Sequence, residues 1–160
     1  IQGVGPSEID RIWLKPGKFP LEIDLPEESL AMVTMVRLLL FLSPAEIEEG
    51  FAKIYQWLER GGKMCLYTFP PGFSEYSEIV QPIYEERWKG GIKWPGYKFK
   101  STDLFSSGNI LPEYIHIMDE RPLIACLEEV GFKIEKASSV PNNRTNILGR
   151  ELLGLIAQKL

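Results

Sequence analysis

Apolar residues run almost unbroken from Met32 to Leu42 (Met-Val-Thr-Met-Val-Arg-Leu-Leu-Leu-Phe-Leu). A short continuous run of this kind suits a strand buried on both faces, as in a parallel sheet, and its first half is read as a core strand. Ser43-Pro44-Ala45-Glu46 follows as a helix start: the serine hydroxyl caps a backbone amide, proline fits the first helical position, and Glu46 completes a capping box. Ile47, Phe51, Ile54, Tyr55 and Leu58 then form one helical stripe, and Gly61-Gly62 is expected to end the helix. Lys63 to Phe69 reads as a second buried strand, closed by Pro70-Pro71-Gly72. Strand, helix and strand in this order make the crossover unit of parallel α/β sheets, which sets the fold class.

The same grammar returns near the C-terminus. Asp119 can cap a helix with Leu123, Ile124, Leu127 and Val130 on one side, Gly131 ends it, and Phe132 to Ala137 forms a strand. After a loop through Pro141-Asn142-Asn143, Leu152 to Ala157 is a further apolar run of strand length. The first 30 residues are cut by glycine and proline into pieces too short for long elements. Residues 70–115 stand apart as an insertion, since 11 of the 18 aromatic residues fall between Tyr67 and Tyr114. Within it, Ser74 to Lys89 has helical spacing, with Tyr76, Ile79, Val80, Ile83 and Tyr84 on one side and a kink at Pro82; the rest reads as loop.

Composition narrows the partners. With 160 residues and 44% hydrophobic content the chain can bury one substantial core, so a single domain is expected. An excess of 22 acidic over 18 basic residues argues against nucleic acid or anionic lipid as a partner. Cys65 and Cys126 lie in apolar runs, as free buried thiols of a cytoplasmic protein do, and no apolar run approaches the length of a membrane span. One histidine and two cysteines in these settings offer no metal-ligand spacing, so no metal is expected, and no phosphate-binding glycine loop is evident. Asn143-Arg144-Thr145 matches a glycosylation acceptor but arises readily by chance.

Four separated stretches, in order, resemble the later part of class I S-adenosylmethionine-dependent methyltransferases. They are Leu25-Pro26-Glu27-Glu28-Ser29-Leu30-Ala31-Met32-Val33 continuing through Leu39 to Pro44; Trp57-Leu58-Glu59-Arg60-Gly61-Gly62-Lys63; Leu127-Glu128-Glu129-Val130-Gly131-Phe132; and Gly149 to Ala157. The resemblance covers residues 22–69 and 116–160. It implies a Rossmann-like, mostly parallel sheet whose last strand runs antiparallel between two parallel neighbours. The family's glycine-rich cofactor turn is not found, and Val4-Gly5-Pro6-Ser7 has Gly5 where the family usually has an acidic residue for the ribose. The fold is therefore expected to be incomplete at its N-terminal side, either because an upstream portion lies outside this sequence or because the domain is a degenerate relative. An exposed edge of parallel sheet follows, open to pairing with a second copy as a homodimer.

The resemblance implies methyl transfer from S-adenosylmethionine to a small, partly apolar acceptor; the alternative is a non-catalytic module of the same fold that binds a protein partner. Ligands of open α/β sheets sit beyond the carboxyl ends of the strands, here Met35 to Arg37 and Thr68 to Phe73. On the cofactor side the resemblance points to Met35 and Val36, and to Glu22 and Asp24 near the adenine; the plainer reading is packing for the first pair and solvated loop carboxylates for the second. Arg37, a charge within an apolar run, either pairs with a substrate carboxylate or reaches solvent. Phe69, Phe73, Tyr76, Tyr84, Trp88 and Trp94, with Tyr97, either line an acceptor site or simply hold the insertion together. His116 is the candidate base for an acceptor hydroxyl, against a structural imidazole.

Overall fold

The computed structural model describes residues 12–106, 108–141 and 151–160. Its principal strands and helices follow the local chemistry read above. Strand β1 spans Leu30–Val36, and helix α1 spans Pro44–Trp57. The start of α1 is held by a full capping box: the Glu46 amide donates to Ser43 Oγ at 3.3 Å, and the Ser43 amide donates to Glu46 Oε2 at 2.9 Å. That amide bond, with a further one from Lys18, pulls the Glu46 carboxyl down to about 2, so the box stays ionised near neutral pH.

The end of α1 departs from expectation. The helix stops at Trp57, and strand β2 runs Leu58–Thr68 with Gly61-Gly62 inside it. The glycine pair forms an irregularity: Leu30 aligns with Leu58 but Met32 aligns with Lys63, so four residues of β2 are bulged out. Gly61 has φ +79°, and a Cβ on Gly62 would lie 2.8 Å from the Glu59 carbonyl oxygen, so both positions need the freedom of glycine.

Helix α2 spans Ser77–Lys89, with Pro82 inside it on the exposed side. Tyr76, Val80 and Tyr84 face inward, four residues apart, whereas Ile79 and Ile83, expected on the same side, are exposed. The segment after α2 is more ordered than a loop. Strands β3 (Phe99–Lys100) and β4 (Tyr114–Ile115) pair antiparallel, with the short helix α3 (Ser101–Leu104) between them. Helix α4 (Glu120–Val130) starts at its Asp119 cap and ends at Gly131, as read from sequence. Strands β5 (Phe132–Pro141) and β6 (Glu151–Lys159) follow, each longer than its apolar run suggested.

The main sheet has the order β1-β2-β6-β5. β1 and β2 are parallel, and β6 is antiparallel to both β2 and β5, so three of four strands share one direction and the last runs against them. Helices α1 and α4 supply Phe51, Ile54, Leu123 and Leu127 to a core with Met35, Leu66 and Leu155. Residues in register on the opposite face include Val36 with Tyr67 and Cys65 with Ile156. That face is open at β1, where Met32 is 57% and Val36 59% exposed. Among the described residues no strand pairs with the outer side of β1. A second apolar cluster joins Phe73, Tyr76, Val80 and Tyr84 to Leu40, Phe99 and Ile117 under the insertion.

Candidate functional site

The carboxyl ends of β1 and β2 lie side by side. Val36 is aligned with Tyr67, and the Arg37 amide continues the ladder by donating to the Tyr67 carbonyl at 2.8 Å. Arg37 itself has φ +58°, a left-handed conformation that costs a non-glycine residue about 1–2 kcal/mol. Strained backbone of this kind gathers at binding sites, where the surrounding fold holds it in place. The Arg37 guanidinium lies over the Phe69 ring, 5.2 Å from its centroid. Phe69 meets Phe73 edge-on at 4.8 Å and Phe105 at 6.3 Å, and Tyr76 meets Phe105 at 5.4 Å. Such edge-to-face contacts stabilise an aromatic patch beyond the area it buries.

The aromatic residues expected along one acceptor site are therefore divided. Phe69, Phe73 and Tyr76 cluster beside Arg37, and Phe105, which the sequence did not single out, completes the group. Tyr84 is buried deeper, with its hydroxyl donating to Asp119 Oδ1 at 3.1 Å. Trp88 stacks under the Arg121 guanidinium at 4.8 Å, and Trp94 donates from Nε1 to Glu48 of α1 at 3.0 Å. These three rings serve packing and helix attachment. Their helical spacing gave no sign of this, because their partners are more than 30 residues away.

His116 borders a hollow of about 190 Å³ with Leu42, Glu46 and Tyr97, yet its ring is enclosed. It is 1% exposed, lies 5.3 Å from both the Trp94 and Tyr97 ring centroids, and has Nδ1 3.1 Å from the Leu42 carbonyl. A carbonyl accepts only, so Nδ1 carries the proton and Nε2 is left bare and buried without a partner. Burial pushes its pKa down to about 4, against the hydrogen bond to Leu42, which raises it. A weak, enclosed base is poorly matched to proton abstraction near neutral pH, so the geometry favours packing over catalysis. The unfolded chain takes up the His116 proton near pH 6.5, before the folded one does. Its stabilising contribution is thus full above that pH and falls as pH drops toward 4. Imidazole nitrogen NMR should find the neutral, Nδ1-protonated ring down to about pH 5; titration near 6.5 would contradict this account.

On the cofactor side the structure separates the sequence candidates. Met35 is buried against α1, beside an apolar hollow of about 220 Å³ that Phe19, Leu25, Val33 and Trp57 also line. Val36 is exposed on the opposite face of β1. Glu22 is exposed and accepts from the Lys18 amide at 2.8 Å, while the Asp24 carbonyl accepts from Lys15. Neither carboxylate forms an enclosed pocket. Val4-Gly5-Pro6-Ser7 and Asn143-Arg144-Thr145 lie outside the described residues. Among the described residues no three His, Cys, Asp or Glu side chains are grouped to hold a metal, and no helix is long and apolar enough to cross a membrane.

A four-stranded order with the last strand reversed between parallel neighbours can be compared with solved structures. An S-adenosylmethionine-dependent methyltransferase from Methanosarcina mazei superposes with a TM-score of 0.59 at 20% identity, covering 87% of this chain and 63% of its own. The chain has the class I S-adenosylmethionine-dependent methyltransferase fold. A second methyltransferase of this type, from Mesorhizobium loti, gives 0.56 at 17% identity, covering 86% of this chain and 65% of its own. The 1,6-didemethyltoxoflavin-N1-methyltransferase of Burkholderia thailandensis, solved with its substrate and S-adenosylhomocysteine, gives 0.50 at 13% identity over 83% and 45% of the two chains. The chain thus spans less than two thirds of the length of each of these methyltransferases. No family model and no curated relative matches the sequence.

Proposed function

We propose that the protein transfers a methyl group from S-adenosylmethionine to a small, partly apolar acceptor, with residues 70–115 forming much of the acceptor side. The observation that carries this reading is the strained Arg37 at the carboxyl end of β1, held over Phe69 at the end of β2, at the end of the sheet where such folds bind ligands. Bound S-adenosylmethionine supplies an electrophilic methyl on a sulfonium. The protein's own work is then to align the acceptor and keep water out, which the Phe69, Phe73, Tyr76 and Phe105 rings are suited to do.

The described residues fit the cofactor only in part. The end of β1 offers one wall, through Val36, but among the described residues no glycine turn follows a strand ahead of β1. Two free cysteines suit a reducing, cytoplasmic setting.

A specific observation supports a second reading. The edge of β1, unpaired among the described residues and with Met32 and Val36 exposed beside it, is the kind of surface through which a non-catalytic module would add a strand from a protein partner or a second copy. Calorimetric titration of the whole protein with S-adenosylhomocysteine separates the two. Saturable one-to-one binding is the expected result. A folded protein that takes up none would sink methyl transfer and leave the partner-binding module as the better account.

A further inference from the structure

Two polar groups at the proposed acceptor end are buried and have no hydrogen-bond partner: Arg37 Nε and Thr68 Oγ1. They occupy neighbouring positions on paired strands, each one residue beyond the aligned pair Val36 and Tyr67. Thr68 is fully buried. An unmade bond of this sort costs about 1–3 kcal/mol, so each of the two groups calls for a partner.

The chemistry of the orphans identifies that partner. Among the described residues Arg37 makes no ion pair with a carboxylate. The Phe69 ring satisfies one face of the guanidinium but none of its in-plane N–H groups, which form a fork matched to two oxygens. The threonine hydroxyl is a further donor to an oxygen at the same level. Beside them, the half-buried Phe69 and Phe105 rings pack on the buried Phe73 and Tyr76.

We infer that the acceptor is a small carboxylic acid with an apolar or aromatic body, its carboxylate taken by Arg37 and Thr68 and its body laid along the Phe69–Phe105 rings. The inference rests on the reading of this end of the sheet as the acceptor side. S-adenosylmethionine also has a carboxylate, so the test has to tell cofactor from acceptor.

Ligand-observed NMR titrations of the whole protein with benzoate, phenylacetate and hexanoate, each beside its primary amide, provide it. Calorimetry with S-adenosylhomocysteine runs in parallel. At least one acid is expected to bind ten times or more tightly than its amide, and to weaken as salt is raised. Arg37→Met should bring that acid down to the affinity of its amide, with S-adenosylhomocysteine affinity kept within about twofold. Thr68→Val should weaken the acid severalfold, and Arg37→Lys should restore part of what methionine loses.

Equal binding of acids and amides, or an Arg37→Met variant that binds the acid undiminished, overturns the inference. So does equal weakening of S-adenosylhomocysteine and acid, which would assign the oxyanion site to the cofactor. If no acid binds while S-adenosylhomocysteine does, the carboxylate acceptor is excluded and methyl transfer stands. If S-adenosylhomocysteine itself fails to bind, methyl transfer falls regardless of the acids.

Discussion

Phe51→Ala is expected to destabilise the protein by about 3–5 kcal/mol. Phe51 is fully buried on α1, in the same core cluster as Met35, Leu66, Leu127 and Leu155. Truncation removes the apolar transfer energy of a ring and leaves a void that helix and sheet close only partly, because both are held by backbone hydrogen bonds. For a domain stable by about 5–15 kcal/mol, that is about a fifth or more of the total. Urea unfolding should show a much lower midpoint with an unchanged slope, and Phe51→Leu should cost far less. A loss below about 1 kcal/mol would mean that α1 does not pack on the sheet as described.

Asp119→Ala comes next, with an expected loss of about 2–4 kcal/mol. One oxygen of this buried carboxylate accepts from the Arg121 amide at 3.0 Å and from the Tyr84 hydroxyl at 3.1 Å; the other accepts from Arg121 Nε at 2.8 Å. The Asp119 amide in turn donates to the Tyr84 oxygen at 3.1 Å. Alanine would remove the α4 cap and leave the buried Tyr84 O–H without an acceptor, an orphan donor whose oxygen still accepts from the residue 119 amide. The Arg121 contact adds less, since Arg121 keeps its pair with Glu85 and is a third exposed. Thermal or urea unfolding of Asp119→Ala, Tyr84→Phe and the double variant checks this. The double variant should be more stable than the sum of the singles implies, because the orphan is then gone. Strict additivity would show that the bond joining α2 to α4 does not contribute.

Where the sequence was legible, the interactions were local. The Ser43 and Glu46 box and the Asp119 cap close within four residues, so their side chains alone announce the starts of α1 and α4. Gly61-Gly62 signalled a turn but not its neighbours' states. Leu58 satisfies a helical stripe and a buried strand equally well, and it joined β2. Ladders of two residues, such as Phe99 and Lys100 against Ile115 and Tyr114, leave no periodic trace.

By itself the sequence determined the fold class and the order of the main strands and helices, because cap chemistry, apolar spacing and chain order act on short stretches, while the reversed last strand was expected only from the family resemblance. The tertiary structure alone decided which aromatic rings meet beside Arg37 and which anchor helices. It also enclosed His116 and put Arg37 in a left-handed turn over Phe69, with a buried donor left unpaired. Those outcomes depend on contacts between residues tens of positions apart, where burial and the supply of partners, rather than local preference, settle the balance of energies.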